Sequence, residues 1–592
     1  MSQNKSCVVS AISILFLAAA GPAILAPDRA DAQAVQPTPT LNTKINQLRL
    51  NSRIFHPEHG EVSLEDLGKL EFGADKPGLE LNRYLSIFVS DVDTTKAIKF
   101  SDVMSQLVKQ SGDPQLTKEI LFHQWWDTAG QGPGLELGPH CDDGGAPTPN
   151  DGIATNTATT TFNGFPYRCP RLEQSEASSD PFAKEGEVDA GKDANPSAYS
   201  AIAFSNRFDL ISPPVPVAGS AGLVEYPDCG EYRIVFARNS GKTDPLNRNL
   251  IIFEARVLNP DPKPEKIGHP SGCLPILNFW HSLSNTAITA EQRGAKLRDF
   301  YLEGKLGPTY KPLPSPVVDI KNYAFGLGQI RTNQFMGNKG SPPNPVDWSL
   351  REFKALPTNG TLIIVPDTVK TNPGTSLFVD GSADPRVSVL SQGIRAQMRK
   401  LLGGDNTSVH LDDVNKVGFS ISGEGINSFE SDEKGLVADT AFGDIAAAFK
   451  GNGSPRNDPL MSNIQGALNI VLPGGNVTPL QVVTRIGTQT CSGCHQFSNG
   501  SDLGGGTKWP DKAKGDLQGT TDRTNHPPMP FTQESEKQTD LREAISASNN
   551  GKKGDRYAIS VTVECLLDAR EIFMKQAIGL PPAPGPAANH CK

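Results

Sequence analysis

The sequence lacks the patterns that announce most enzymes: no Gly-x-Ser-x-Gly elbow, His-Glu-x-x-His pair, P-loop or Gly-x-Gly-x-x-Gly turn stands where its chemistry would need it. Positive charge is short as well. A formal net charge of −9 gives no electrostatic drive toward nucleic acid or anionic lipid, so nucleic acid is not an expected partner. No fixed-period repeat runs through the middle region, and 48 prolines and 57 glycines imply many turns rather than a solenoid. Beyond the N-terminal apolar run, no segment approaches membrane-spanning length, so no membrane span is expected once the leader is removed. What remains, with 37% hydrophobic and 20% charged residues, is a chain able to fill a core and long enough for several domains.

At the N-terminus, Lys5 precedes an apolar run from about Cys7 to Ala26, followed by the small-residue sequence Ala30-Asp31-Ala32. This order predicts a signal peptide over residues 1–32, and hence a periplasmic, extracellular or cell-surface protein. Gly21 and Pro22 interrupt the run, and no basic stop-transfer cluster follows it. Of nine cysteines, Cys7 leaves with the leader, and Cys491 and Cys494 belong to a motif treated below. The others, Cys141, Cys169, Cys229, Cys273, Cys565 and Cys591, are even in number, which in an exported chain predicts three disulfides. Pairing by proximity joins 141 to 169, 229 to 273 and 565 to 591.

After a Pro/Thr linker near Val35–Thr40, apolar spacing predicts two helices between Lys99 and Gly130. From Thr128 to Pro196 the composition shifts to turn-forming residues, predicting a long disulfide-held loop. Tyr232–Arg238, Leu250–Leu258, Thr361–Pro366 and Leu377–Asp380 read as strands. Thr289–Leu302, opened by a Thr289/Gln292 capping box, reads as a helix over one sheet face, and Val389–Leu402 as a further helix ending at Gly403 and Gly404. Residues 41–470 are therefore expected to be a large α+β region. From Pro479 helical segments dominate, including Thr539–Ala547 and Thr562–Ala577, so that 479–592 is expected to form a small, mainly helical domain.

One motif carries chemistry. In Cys491-Ser492-Gly493-Cys494-His495 the spacing puts two thiols within reach of the two vinyl groups of a porphyrin and an imidazole next to them for the iron. Random placement of 9 cysteines and 10 histidines in 592 positions yields this pattern only about 0.002 times. The same spacing also serves thiol-disulfide exchange and zinc. The first is expected in a βαβ context near a domain start, and the second needs another CxxC or paired histidines, neither of which is present. One covalent haem c is the expected cofactor.

The stretch around this pentapeptide resembles the class I cytochrome c domain, in which an attachment motif on a first helix is followed by a loop delivering methionine and then a closing helix. The resemblance covers only about 110 residues, estimated from the motif's place in the C-terminal segment. It implies that Met529, in His526-Pro527-Pro528-Met529-Pro530-Phe531, is a sixth iron ligand. The sequence departs from the family in a Gly-, Asp- and Thr-rich loop before Met529 and in a further helix containing Cys565. His526 as ligand, or an open sixth position, therefore stays an alternative. A closed iron makes an electron carrier working with a redox partner protein. An open one makes a haem peroxidase or oxidase acting on a small-molecule substrate in the large region, and a plain Cys491–Cys494 disulfide makes a secreted binding protein.

Other conspicuous residues have simpler readings. Phe122-His123-Gln124-Trp125-Trp126 reads as core, His269 and His281 as structural histidines, and His56 and His59 as a solvated turn. Cys141-Asp142-Asp143-Gly144-Gly145 offers oxygen ligands but does not match the twelve-residue calcium loop.

Overall fold

In the computed structural model the described residues are 79–125, 161–162, 165–166, 181–182, 185, 195–242 (except 213), 249–336 (except 325), 347–402 (except 359 and 371), 420–421, 424–425, 430–431, 445–451, 456, 458–488, 498, 500–509, 533–535, 557–559 and 561–580. Seven of their strands form one antiparallel sheet: β1 Phe88–Val89, β2 Tyr199–Arg207, β3 Asp228–Arg238, β4 Asn249–Leu258, β5 Gln329–Met336, β6 Asp347–Thr358 and β7 Thr361–Lys370. Their order in space is their order in the chain, a meander with every pair antiparallel.

Alternation along the strands sorts the side chains. Tyr232, Ile234 and Phe236 of β3 lie opposite Ala255, Phe253 and Ile251 of β4, and Ile330 of β5 lies opposite Phe253 and Phe353. All of them are buried in the first of two hydrophobic cores. Helices close this face. Helix α1 (Phe100–Ser111) buries Phe100, Val103, Met104 and Leu107, a 3.6-residue stripe, and ends at Gly112 with φ 72°. Helix α2 (Lys118–His123) follows, then α3 (Leu274–Ser282) and α4 (Ala290–Arg298). The Phe100 ring lies 5.2 Å from that of Phe236 and 5.2 Å from that of Tyr199, so α1 meets the centre of the sheet.

Both helices expected between Lys99 and Gly130 are present as α1 and α2. The capping box at α4 forms as read: Thr289 Oγ1 accepts from Gln292 N, and Gln292 Oε1 from Thr289 N. Phe122 and Trp125 are fully buried, as their core reading required. Gln124 uses its amide at the sheet edge, accepting from Ile364 N (2.7 Å) and donating to Leu362 O (3.5 Å), which occupies main-chain groups of the outermost strand.

Two expectations are corrected. Leu377–Asp380 is not a strand: Thr375–Leu377 is a 3₁₀ turn, and Leu377 and Phe378 are adjacent buried residues in the second core. A strand would have sent them to opposite faces. The helix expected over Val389–Leu402 starts earlier, as α5 (Arg386–Ala396), and breaks at Gln397 before the short turn Met398–Leu401.

The second core joins Leu377, Phe378 and α5 to α6 (Ile445–Lys450), α7 (Pro459–Val471) and α8 (Pro479–Thr488). Residues on both sides of 472–478 thus share one core. The last described helix, α9 (Val561–Ala577), returns to the first core: Leu567, Phe573, Met574 and Ala577 are buried there, with Phe573 and Phe208 rings 5.4 Å apart. Arg83 pairs with Glu571 at 2.6 Å. The chain is α+β. Residues 539–547 and most of the loop 128–196 lie outside the described residues.

Candidate functional site

Cys491, Cys494, His495, His526 and Met529 lie outside the described residues, as do Cys141, Cys169, Cys591, His56 and His59. What the structure describes is the frame on both sides of the motif. Helix α8 ends at Thr488, and the chain is described again at Ser498 and from Gly500, where the hairpin Asp502–Gly504/Thr507–Lys508 follows. A Cβ placed on Gly487 would stand 3.7 Å from Ser498 Oγ, so the two ends of segment 489–497 come together.

Arg485 holds that point. Its guanidinium is fully buried and donates from Nε to Leu503 O (2.6 Å), from Nη1 to Leu401 O (2.7 Å) and from Nη2 to Gly504 O (3.4 Å). One side chain thereby ties the helix before the motif to the hairpin after it and to the end of the Met398–Leu401 turn. Burial draws the guanidinium down to about 10, against an opposing pull from Asp502, so it stays charged at neutral pH. Gln481 repeats the tie nearer the surface: its Oε1 accepts from Thr478 N, and its Nε2 donates to Asp502 at 2.9 Å.

A second polar constellation was not anticipated from the sequence. Four successive strands carry polar pairs on the sheet face opposite the helices: Glu231 and Arg233, Glu254 and Arg256, Gln329 and Arg331, Glu352 and Lys354. The register sets Glu231 across from Arg256, Arg233 across from Glu254, and Arg331 across from Glu352, so that signs alternate between neighbours. Arg256 reaches Asp228 and Glu231 at 3.2 Å each, Arg233 reaches Glu231 at 2.7 Å and Glu254 at 3.1 Å, and Lys354 reaches Glu352 at 3.3 Å. Burial pushes the Glu231 carboxyl up, but Arg233, Arg256 and Arg331 outweigh it and hold the group at about 2. Burial lowers Arg256, and Asp228 and Glu231 more than reverse it. These are fixed charges, each answered by its neighbour. Such an array orders strand register, because a slip of one strand would set like charges against each other.

The buried disulfide Cys229–Cys273, with Cα atoms 5.5 Å apart, joins β3 to the start of α3 and matches the proximity pairing. His281 sits against Leu79 O at 3.0 Å, in keeping with its structural reading. Among the described residues, no cluster of three or more His, Cys, Asp or Glu side chains is arranged to hold a metal ion, and no helix is long and apolar enough to cross a membrane. No family model, no curated protein and no solved structure matches the chain.

Proposed function

We propose that the chain is an exported c-type haem protein that passes single electrons through a haem attached in its C-terminal segment. The pentapeptide Cys491–His495 carries this reading. Its donor set fits the group: two thiols would hold a porphyrin and an imidazole would meet the iron, while the resemblance to the cytochrome c domain implies Met529 as the further ligand, with His526 or an open position as alternatives. Cys491 and Cys494 would each add across one vinyl group, sulfur to one carbon and hydrogen to the other, which would release nothing and consume no further reactant. Bound haem supplies one-electron chemistry, and the chain supplies attachment, axial ligation and electrostatic tuning. The buried Cys229–Cys273 bond supports the exported half of the reading, since such bonds persist in oxidising compartments. The partner is a redox protein or small molecule outside the chain.

The test is the intact mass and absorption spectrum of the full chain exported to a bacterial periplasm. An added mass of about 616 Da, a pyridine haemochrome of the c type and a ferric band near 695 nm are expected for His495 and Met529 ligation. A mass without haem removes the proposal. A high-spin ferric spectrum moves it from carrier to an open-site peroxidase or oxidase.

A further inference from the structure

The charged face of the sheet departs from its own pattern at one place. Strands β3 and β4 each pair a glutamate with an arginine, whereas β5 sets the neutral amide of Gln329 in the glutamate's position and β6 sets Lys354 in the arginine's. The two departures are neighbours. Gln329 lies across from Glu254 on one side, and on the other it and Lys354 are the next pair along from Ile330 and Phe353. A carboxylate, an amide and an amine thus stand in one row across three adjoining strands. Gln329 Nε2 donates to Glu254 Oε2 at 2.5 Å, and Gln329 Oε1 accepts from Lys354 Nζ at 3.4 Å. Nζ also donates to Gly328 O at 3.0 Å and pairs with Glu352 Oε1 at 3.3 Å. Glu254, Gln329, Glu352 and Lys354 are all buried.

These neighbours decide which way the amide faces. A carboxylate takes only its NH2 end and an ammonium only its carbonyl, so Gln329 turns its carbonyl toward Lys354 and its nitrogen toward Glu254. The carbonyl carbon lies one C=O bond, about 1.2 Å, behind the oxygen that Nζ already contacts. A guanidinium is no nucleophile, and a carboxylate resists an amine. The exchange of both members gives the sheet a nucleophile and an electrophile at contact, where the glutamate and arginine of β3 and β4 meet a purely electrostatic need.

We propose that Gln329 and Lys354 condense to an intramolecular amide that rivets β5 to β6, with Glu352 and Glu254 handling the protons. Glu352 takes one proton from the Lys354 ammonium, and the freed amine adds to Cδ of Gln329. A proton remaining on Nζ passes to Nε2, which Glu254 holds, and the Cδ–Nε2 bond breaks as the carbonyl re-forms. Ammonia leaves with the proton from Glu352, as ammonium. The Nζ–Cδ bond is formed, nothing is oxidised or reduced, and dilution of the ammonium into solvent draws the exchange forward. Holding amine and amide in contact replaces the encounter of two dilute groups, the chief aid to a reaction otherwise very slow. Burial keeps competing water and any external transferring enzyme away from both groups, so the bond is made by the chain itself.

Mass spectrometry of the folded full-length chain, denatured and then digested with trypsin, tests this. Trypsin does not cut after an acylated lysine, so the expected product is a branched peptide uniting Asn322–Arg331 with Glu352–Lys370, about 17 Da lighter than the two together through the loss of ammonia. Linear Asn322–Arg331 alone, with cleavage after Lys354 throughout, overturns the proposal. This digest of the wild type decides whether or not any variant folds. Lys354→Arg keeps the charge beside Glu352 but has no amine to acylate, and its digest should contain linear peptides only; a branched peptide there overturns the assignment of Lys354. Glu254→Gln keeps an acceptor for Gln329 Nε2 but loses the carboxylate, and its branched fraction should fall below that of wild type. An unchanged fraction overturns the part given to Glu254.

Discussion

Cutting the Cys229–Cys273 bond should cost far more stability than its two sulfur atoms suggest. The bond joins the start of β3 to the start of α3 across a sequence separation of 44, so it fastens a central strand to a helix that covers it. In the chain-entropy treatment, closing a loop of that length lowers the entropy of the unfolded chain enough to stabilise the fold by about 4 kcal/mol. Both cysteines are fully buried, so Cys229→Ala/Cys273→Ala also removes packed sulfur, a smaller loss in the same direction. The assay is denaturant unfolding followed by tryptophan emission, to which Trp125 and Trp280, buried in the same core, contribute. The single variant Cys229→Ala should fall within about 1 kcal/mol of the double one, because either change abolishes the cross-link. Protein made in a reducing cytosol should match the variants, and oxidation should restore it. A double variant within about 1 kcal/mol of wild type refutes the reasoning, since the loop term alone exceeds that.

Other expectations follow from the sheet and from the way the chain returns to it. Glu231, held at about 2 against an ordinary value of 4.5, contributes stability that is complete above pH 4.5 and lost as the pH falls toward 2. That shift corresponds to about 3 kcal/mol, so acid titration of stability should be steep in this window for wild type and flatter for Glu231→Gln; equal slopes would refute it. Gly328→Ala should destabilise by about 3 kcal/mol in thermal unfolding, because the added Cβ would lie 2.0 Å from Glu254 O and 2.4 Å from Asn322 O, both main-chain atoms that cannot swing aside. A fragment comprising residues 479–592 should not fold by itself, since α8 belongs to the second core and α9 to the first; native-like circular dichroism from that fragment would contradict this.

Much of the fold was legible in the sequence where side-chain period and burial coincide. β3, β4 and the two helices after Lys99 have apolar positions spaced two or three-to-four apart, and a capping box marked the start of α4. The sheet's charged face was legible too, in Glu231-Tyr232-Arg233, Glu254-Ala255-Arg256, Gln329-Ile330-Arg331 and Glu352-Phe353-Lys354. Each triplet puts its apolar middle residue toward the helices and its two polar residues on the other face. Attention to apolar runs alone passes over such triplets, because the information lies in their recurrence from strand to strand. Leu377–Asp380 misled for the opposite reason: a short apolar run carries no period, and tertiary packing decided it.

The candidate site divides along the same line. Cys491, Cys494 and His495 could be picked out as candidates because the attachment chemistry proposed for them demands a fixed local spacing. Arg485 was not, because its partners at Leu401, Leu503 and Gly504 come from separate parts of the chain, and only the fold brings them to one guanidinium. The return of α9 was hidden likewise, its apolar side fitting a small helical domain as well as it fits the sheet core. The segment between these helices therefore leaves from one core and comes back to the other.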